Sequence, residues 1–212
     1  MIESIIGFFG SILFGLLATF GVNAGTEGPK YVVVDRIGSN IEIRKYAPRI
    51  AAEYTVDSKS SDNPRSEGFR VIAGYIFGAN KGSKRVEKTA PVEMQKMGSN
   101  KIAMTSPVEV NKSEQQMTMR FFMPAEYELA ELPEPTNTRI KLIEIPEAVV
   151  AALTFSGSTG EKAIATETER LLKQIESSKY KPTGEQTAYL YNPPWTIPFL
   201  RRNEVIVSVE KK

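Results

Sequence analysis

Apolar and polar residues alternate over Ile41–Tyr46 and again over residues 204–209, where Val205, Val207 and Val209 share one side and Glu204, Ile206 and Ser208 the other. A period of two predicts half-buried strands. Residues 31–34 read as a partner of the first of these across a Gly38-Ser39-Asn40 turn, and residues 50–56 continue extended after Pro48. The period then changes. Asn63 stands as an N-cap with Pro64 at the first helical position, and Phe69, Ile72, Ala73, Ile76 and Phe77 recur at helical spacing up to Gly78. Thr89 to Glu93 and Thr105 to Glu109 repeat a T-(A/S)-P-V-E pattern, which predicts two short, proline-interrupted strands in a hairpin. Residues 117–123 give a further strand and 124–138 a loop. Residues 140–145 and 148–155 repeat the opening strand pair, with Pro146 in the part of Pro48. A charged helix follows, with Ser158 and Glu161 at capping-box spacing and Ile164, Leu171, Leu172 and Ile175 as its apolar stripe, ending near Ser178. Two more strands close the chain. Strands, helix, strands, twice over, predict a duplicated α+β domain with each helix packed on an antiparallel sheet.

Ahead of these elements the pattern is different. Between Glu3 and Glu27 no residue is charged, and Ile5, Phe8, Phe9, Ile12, Leu13, Phe14, Leu16, Leu17 and Phe20 keep the run apolar. A helix of about 20 such residues spans the ~30 Å hydrocarbon core of a bilayer, so one N-terminal transmembrane helix is expected, contacting the membrane through residues 4–26. Gly7, Ser11, Gly15 and Thr19 recur every fourth position, a face on which a second membrane helix could pack closely. The alternative is a cleaved signal peptide, favoured by Val22-Asn23-Ala24 before Gly25; the lack of Lys or Arg ahead of the run favours a retained anchor. Lys30 and Arg36 beyond the run place the globular part in the cytoplasm by the positive-inside rule, whereas cleavage would make it secreted or periplasmic. The chain therefore divides into an anchor or signal at 1–24, a linker at 25–30 and a globular domain at 31–212.

Composition narrows the chemistry. With 27 basic and 25 acidic residues and a net charge of +2, the 212-residue chain has no electrostatic footprint for nucleic acid. It has neither Cys nor His, which excludes disulfides, thiol nucleophiles, His/Cys zinc sites and Ser-His-Asp or Cys-His arrangements. Glu167 and Glu169 lie two apart on a helix and point to different faces, so they make no acid-base pair. No catalytic residue is expected, and the chain reads as a binding protein and not an enzyme.

The densest candidate chemistry lies near the C-terminus. Tyr189, Leu190 and Tyr191 begin a short strand that Pro193 and Pro194 end, and Trp195, Pro198 and Phe199 follow, then Arg201 and Arg202. An apolar lip beside two guanidinium groups suits an amphipathic ligand carrying carboxylates. The same residues also suit a core plug at a strand corner followed by a solvated turn.

This segment, YNPPW…P…RRNEV, together with KIAMTSPVEV from Lys101 and EGFRVIAGYIFG from Glu67, resembles the SOUL haem-binding family over roughly residues 31–209. The resemblance implies two pseudo-symmetric halves forming a curved or barrel-like antiparallel sheet with two flanking helices. It also implies non-covalent binding of haem or another tetrapyrrole beside the first helix, by Phe69, Ala73, Ile76, Phe77, Trp195 and Phe199, with Arg201 as partner for propionates. The axial His proposed for some members is missing, leaving Met104 and Tyr75 nearest the motifs and the metal ligand undefined. The duplicated fold also looks like the effector-binding domains of some transcriptional regulators, which take hydrophobic cations. A membrane scaffold with no ligand is the third possibility.

Overall fold

A computed structural model describes residues 27–82, 100–113 and 115–212. The expected transmembrane helix and its small-residue face lie outside the described residues, as does the first T-A-P-V-E copy; among the described residues no helix is long and apolar enough to cross a membrane.

Three strands open the domain: β1 (Tyr31–Ile37), β2 (Ile41–Tyr46) and β3 (Arg49–Asp57). The β1–β2 turn needs a left-handed residue, and Gly38 supplies it at φ 60°. Helix α1 (Pro64–Ile76) starts as its sequence predicts: the Asn63 side chain accepts from the Ser66 amide at 3.0 Å and Pro64 occupies the first turn. Gly78, at φ 117°, turns the chain away after it. A two-residue strand β4 (Asn80–Lys81), then β5 (Val108–Lys112) and β6 (Gln116–Phe122), complete the first half. After a small strand β7 (Glu134–Pro135), the second half repeats the plan with β8 (Lys141–Ile145), β9 (Ala148–Phe155), α2 (Glu161–Glu176), β10 (Tyr180–Leu190) and β11 (Asn203–Lys211). The expected Ser158 capping box does not form. Ser158 Oγ accepts from the Gly160 amide, and Gly160 itself is the N-cap, so the hydroxyl is spent two residues ahead of the cap position.

Nine strands form one antiparallel sheet in the order β1-β2-β9-β11-β10-β5-β6-β3-β8. The sheet is not the closed barrel that a barrel-like reading would allow: β1 and β8 are its two open edges. Leaving out β1, the order is palindromic between the halves, with β5 against β10 at the centre. The halves also trade strands. β2 pairs with β9 of the second half, Ile43 opposite Ala151, and β8 pairs with β3 of the first, Ile143 opposite Ala51.

Strict alternation sorts the side chains into two faces. On the helix-bearing face α1 covers one cluster that includes Tyr54, Met119, Phe121 and Ile72, and α2 covers a second with Ile43, Leu153, Val205 and Val207. Burying each large aliphatic side chain is worth roughly 1.5–3 kcal/mol, which is what fixes the helices to the sheet. The opposite face carries its own core of Tyr46, Ala51, Phe122, Val150, Tyr189 and Ile206. Within α1, Gly74 would place an added Cβ 3.9 Å from the nearest atom, Ala79 Cβ. Gly74→Ala is therefore expected to stabilise the domain by about 0.4–1 kcal/mol through a less flexible unfolded chain, read as a raised urea midpoint.

Candidate functional site

The helical run of the first half serves two surfaces at once. Ile72, Tyr75 and Ile76 point into the core, while Phe69, Ala73 and Phe77 line the flank at i, i+4 and i+8. Both phenylalanines are exposed, Phe77 to 59%, and the small Ala73 between them is nearly covered. Eight residues of helix separate the two rings by about 12 Å along the axis, a length comparable with the width of a tetrapyrrole ring. The Phe69 ring is seated against Phe121 of β6 at 5.3 Å between centroids, which holds it in place. Tyr75 is fully buried and its hydroxyl donates to the Pro133 carbonyl, so it faces away from this flank.

The chain from Asn100 to Ser106 connects this flank to the C-terminal turn. The Ile102 amide donates to the Ile76 carbonyl at the end of α1, the Thr105 hydroxyl to the Phe122 carbonyl, and the Ser106 hydroxyl to the Tyr191 carbonyl. Met104 lies exposed on this segment. Beyond Tyr191 the prolines hold the turn out from the sheet, and Trp195 and Phe199 are 63% and 72% exposed, with Leu200 exposed beside them. A 3-10 turn at Pro198–Leu200 is fixed by the Gly157 amide, which donates to the Pro198 carbonyl ahead of α2. Trp195 is no core plug. Leu200 and Met104 are further exposed apolar residues outside the set expected to bind; the signal for Leu200 was the unbroken Pro-Phe-Leu run.

The two arginines diverge. Arg201 donates from Nε to the Thr196 carbonyl at 2.8 Å and from Nη2 to the Pro194 carbonyl at 2.7 Å, clamping the turn that carries Trp195. Carbonyls are neutral, so its positive charge stays whole. Arg202 turns back to Glu204 at 2.7 Å and stacks its guanidinium over the Tyr191 ring at 4.2 Å.

Glu204 is the residue that local pattern hides. A glutamate flanked by alternating valines reads as the solvent side of a strand, yet it is completely buried and receives Arg44 in a two-pronged pair at 2.7 and 3.0 Å. Thr154 and Tyr191 hydroxyls also donate to it. Burial works against its charge, but the two arginines outweigh it and hold the carboxyl below its ordinary range. The same burial and the neighbouring carboxylate push the Tyr191 hydroxyl far up, so it stays protonated as a donor. A second buried carboxylate, Glu109, is paired with Arg120, which also holds Glu53.

The domain is thus a twofold-repeated antiparallel sheet with two helices, carrying exposed aromatic residues on α1 and on the C-terminal turn. The family model of the SOUL heme-binding protein matches residues 26–208, and the chain belongs to that family, one of binding proteins rather than enzymes. Among solved structures the chain is similar to the EcmrR C-terminal domain, at 13% identity and a TM-score of 0.55 over 81% of this chain and 98% of that one. It is similar too to a hydrolase from Listeria innocua, at 14% identity and a TM-score of 0.51 over 89% of this chain and 94% of that one. At these identities the likeness is one of fold. No curated protein matches the chain significantly.

The residues fit a tetrapyrrole ring better than they fit its iron. Phe69 and Phe77 offer exposed aromatic surface on either side of the nearly covered Ala73, and Arg201 bonds neutral carbonyls, whereas no imidazole or thiolate exists anywhere in the chain. Among the described residues no cluster of carboxylates replaces them.

Proposed function

We propose that this protein binds a tetrapyrrole such as haem non-covalently on the flank of α1, as a carrier, buffer or sensor tethered to a membrane through residues 4–26, with its globular domain in the cytoplasm. The observation that carries the reading is the exposed aromatic flank, Phe69 and Phe77 about two turns apart with small Ala73 between them. Trp195 and Phe199 supply further apolar surface from the turn that Arg201 clamps, and Arg201 is the partner for a propionate. Ile76 supports the flank from beneath. Metal chemistry, when haem is the cargo, is the cargo's own; the protein's part is to cover the ring face and hold its acid groups. Met104, exposed beside this surface, is the thioether available to iron.

A hydrophobic-cation module is the weaker reading. Such a ligand needs an unspent carboxylate, and the buried Glu109 and Glu204 are both spent on arginines.

Haemin titration of residues 25–212 tests the proposal through the Soret band and Trp195 fluorescence. Saturation at one equivalent is expected, and Phe77→Asp should abolish it. Because Phe77 is a surface residue, the same substitution should shift stability by no more than about 0.5 kcal/mol. An unsaturable response, or one that Phe77→Asp leaves intact, would sink the assignment.

A further inference from the structure

A second recess lies at the other end of β3, where the β2–β3 turn at Pro48 and the β8–β9 turn at Pro146 come together. It is a cavity of about 870 Å³, with walls from Ile50, Phe122, Met123, Pro124 and Ile145. Arg49 lines it from the helix-free face of the sheet, opposite Ile145 in register.

Arg49 differs from the arginines around it. Arg44, Arg120 and Arg202 each hold a carboxylate within 3 Å. Arg49 has no carboxylate partner among the described residues. Its contacts are long: Nη1 reaches the Ala47 carbonyl at 3.5 Å and Nη2 the Tyr189 hydroxyl at 3.3 Å. Its Nε is buried without any acceptor, an arrangement that costs stability and needs a reason. The guanidinium is nonetheless well positioned, 4.7 Å from the Tyr46 ring centroid and 5.3 Å from that of Phe122. Two aromatic rings thus fix a cation whose hydrogen-bonding capacity is largely unspent. That is a preorganised receptor for one acid group.

We propose that this cavity binds a second ligand, an apolar monocarboxylate whose acid group pairs with Arg49 and whose body lies against the proline and Phe122 walls. Arg49 is the guanidinium of the lining and matches one carboxylate. The exposed border carries three carboxylates, Glu27, Glu128 and Glu144, against one ammonium, Lys30, a net negative rim that disfavours a dianion such as a phosphate monoester. The site is separate from the flank of α1 and does not rest on tetrapyrrole binding.

Titration calorimetry of the full chain with 2-naphthoate tests it, with 2-naphthalenemethanol as the uncharged isostere. Saturable naphthoate binding is expected, at least tenfold tighter than that of the alcohol. Arg49→Met should weaken it tenfold or more, Arg49→Lys less, and Phe77→Asp should leave it unchanged. Because Arg49 has no ion pair to lose, Arg49→Met should melt at or above the wild-type temperature without ligand. If Arg49→Met does not fold, Arg49→Lys carries the comparison, and a Lys variant that binds as the wild type does overturns the role of the guanidinium fork. Equal affinity for acid and alcohol, undiminished binding by a folded Arg49→Met, loss of binding in Phe77→Asp, or a titration that never saturates each overturns the proposal.

Discussion

Glu204→Ala is expected to lower stability by about 3–5 kcal/mol, because it leaves the Arg44 guanidinium buried without its counter-charge. Arg44 is as buried as Glu204, it lies under the Tyr31 ring at 4.5 Å, and its remaining carboxylate partner is Glu42, only partly buried. Water cannot take over. Arg202, half-exposed, can turn to solvent, so the loss belongs chiefly to Arg44. Urea unfolding of residues 25–212 reads the difference. The companion variant Glu204→Leu with Arg44→Met should recover most of it, since an apolar pair of similar volume has no charge to desolvate. The acid limb gives an independent check. The folded carboxyl sits below the ordinary glutamate value of 4.5, so its contribution is full above that value and drains away as pH falls through the lower folded one. The wild type should therefore lose stability over that window, and the double variant should lose less there. Parallel acid limbs would show that Glu204 is not the group responsible.

Phe122→Ala should cost about 3–5 kcal/mol, as large-to-small changes at buried aromatics do. Phe122 is buried on the helix-free face, edge-on to the Tyr189 ring at 5.5 Å, in a cluster drawn from both halves of the chain. Its removal opens a void against the Tyr189 ring, across β5, in a cluster that both halves line. Phe122→Leu should restore more than half of the loss. A cost below about 1 kcal/mol for the alanine variant would mean that this face collapses freely and is not a packed core.

Much of the fold was legible because its signals are local. β2 has the bounds expected of it, β9 those expected from its repeat of the opening strand pair, α1 begins at the Asn63-Pro64 pair, and Val205, Val207 and Val209 do face α2. What was not legible depends on partners far along the chain. The pairing of β2 with β9 and of β8 with β3 joins strands that no turn connects, and an open palindromic sheet and a closed barrel share the same strand pattern. Candidate residues on α1 illustrate the limit at the site: Phe69, Ile72, Ala73, Ile76 and Phe77 are one apolar stripe in sequence, but a helix on a curved sheet buries only part of its width. Ile72 and Ile76 enter the core and Phe69 and Phe77 remain outside. The arginines show it again. Arg201 and Arg202 read as a matched pair, whereas one clamps carbonyls and the other answers a carboxylate whose main counter-ion, Arg44, comes from the first strand pair.

β11, the last described strand in chain order, does not lie at the border of the sheet. β11 runs between β9 and β10, so without it the hydrogen-bonded ladder falls into two parts, β1-β2-β9 and β10-β5-β6-β3-β8. β2 meanwhile waits for a partner encoded more than a hundred residues later. β11 is therefore the keystone of the ladder: removing it would part the sheet in its interior instead of shortening it at an edge.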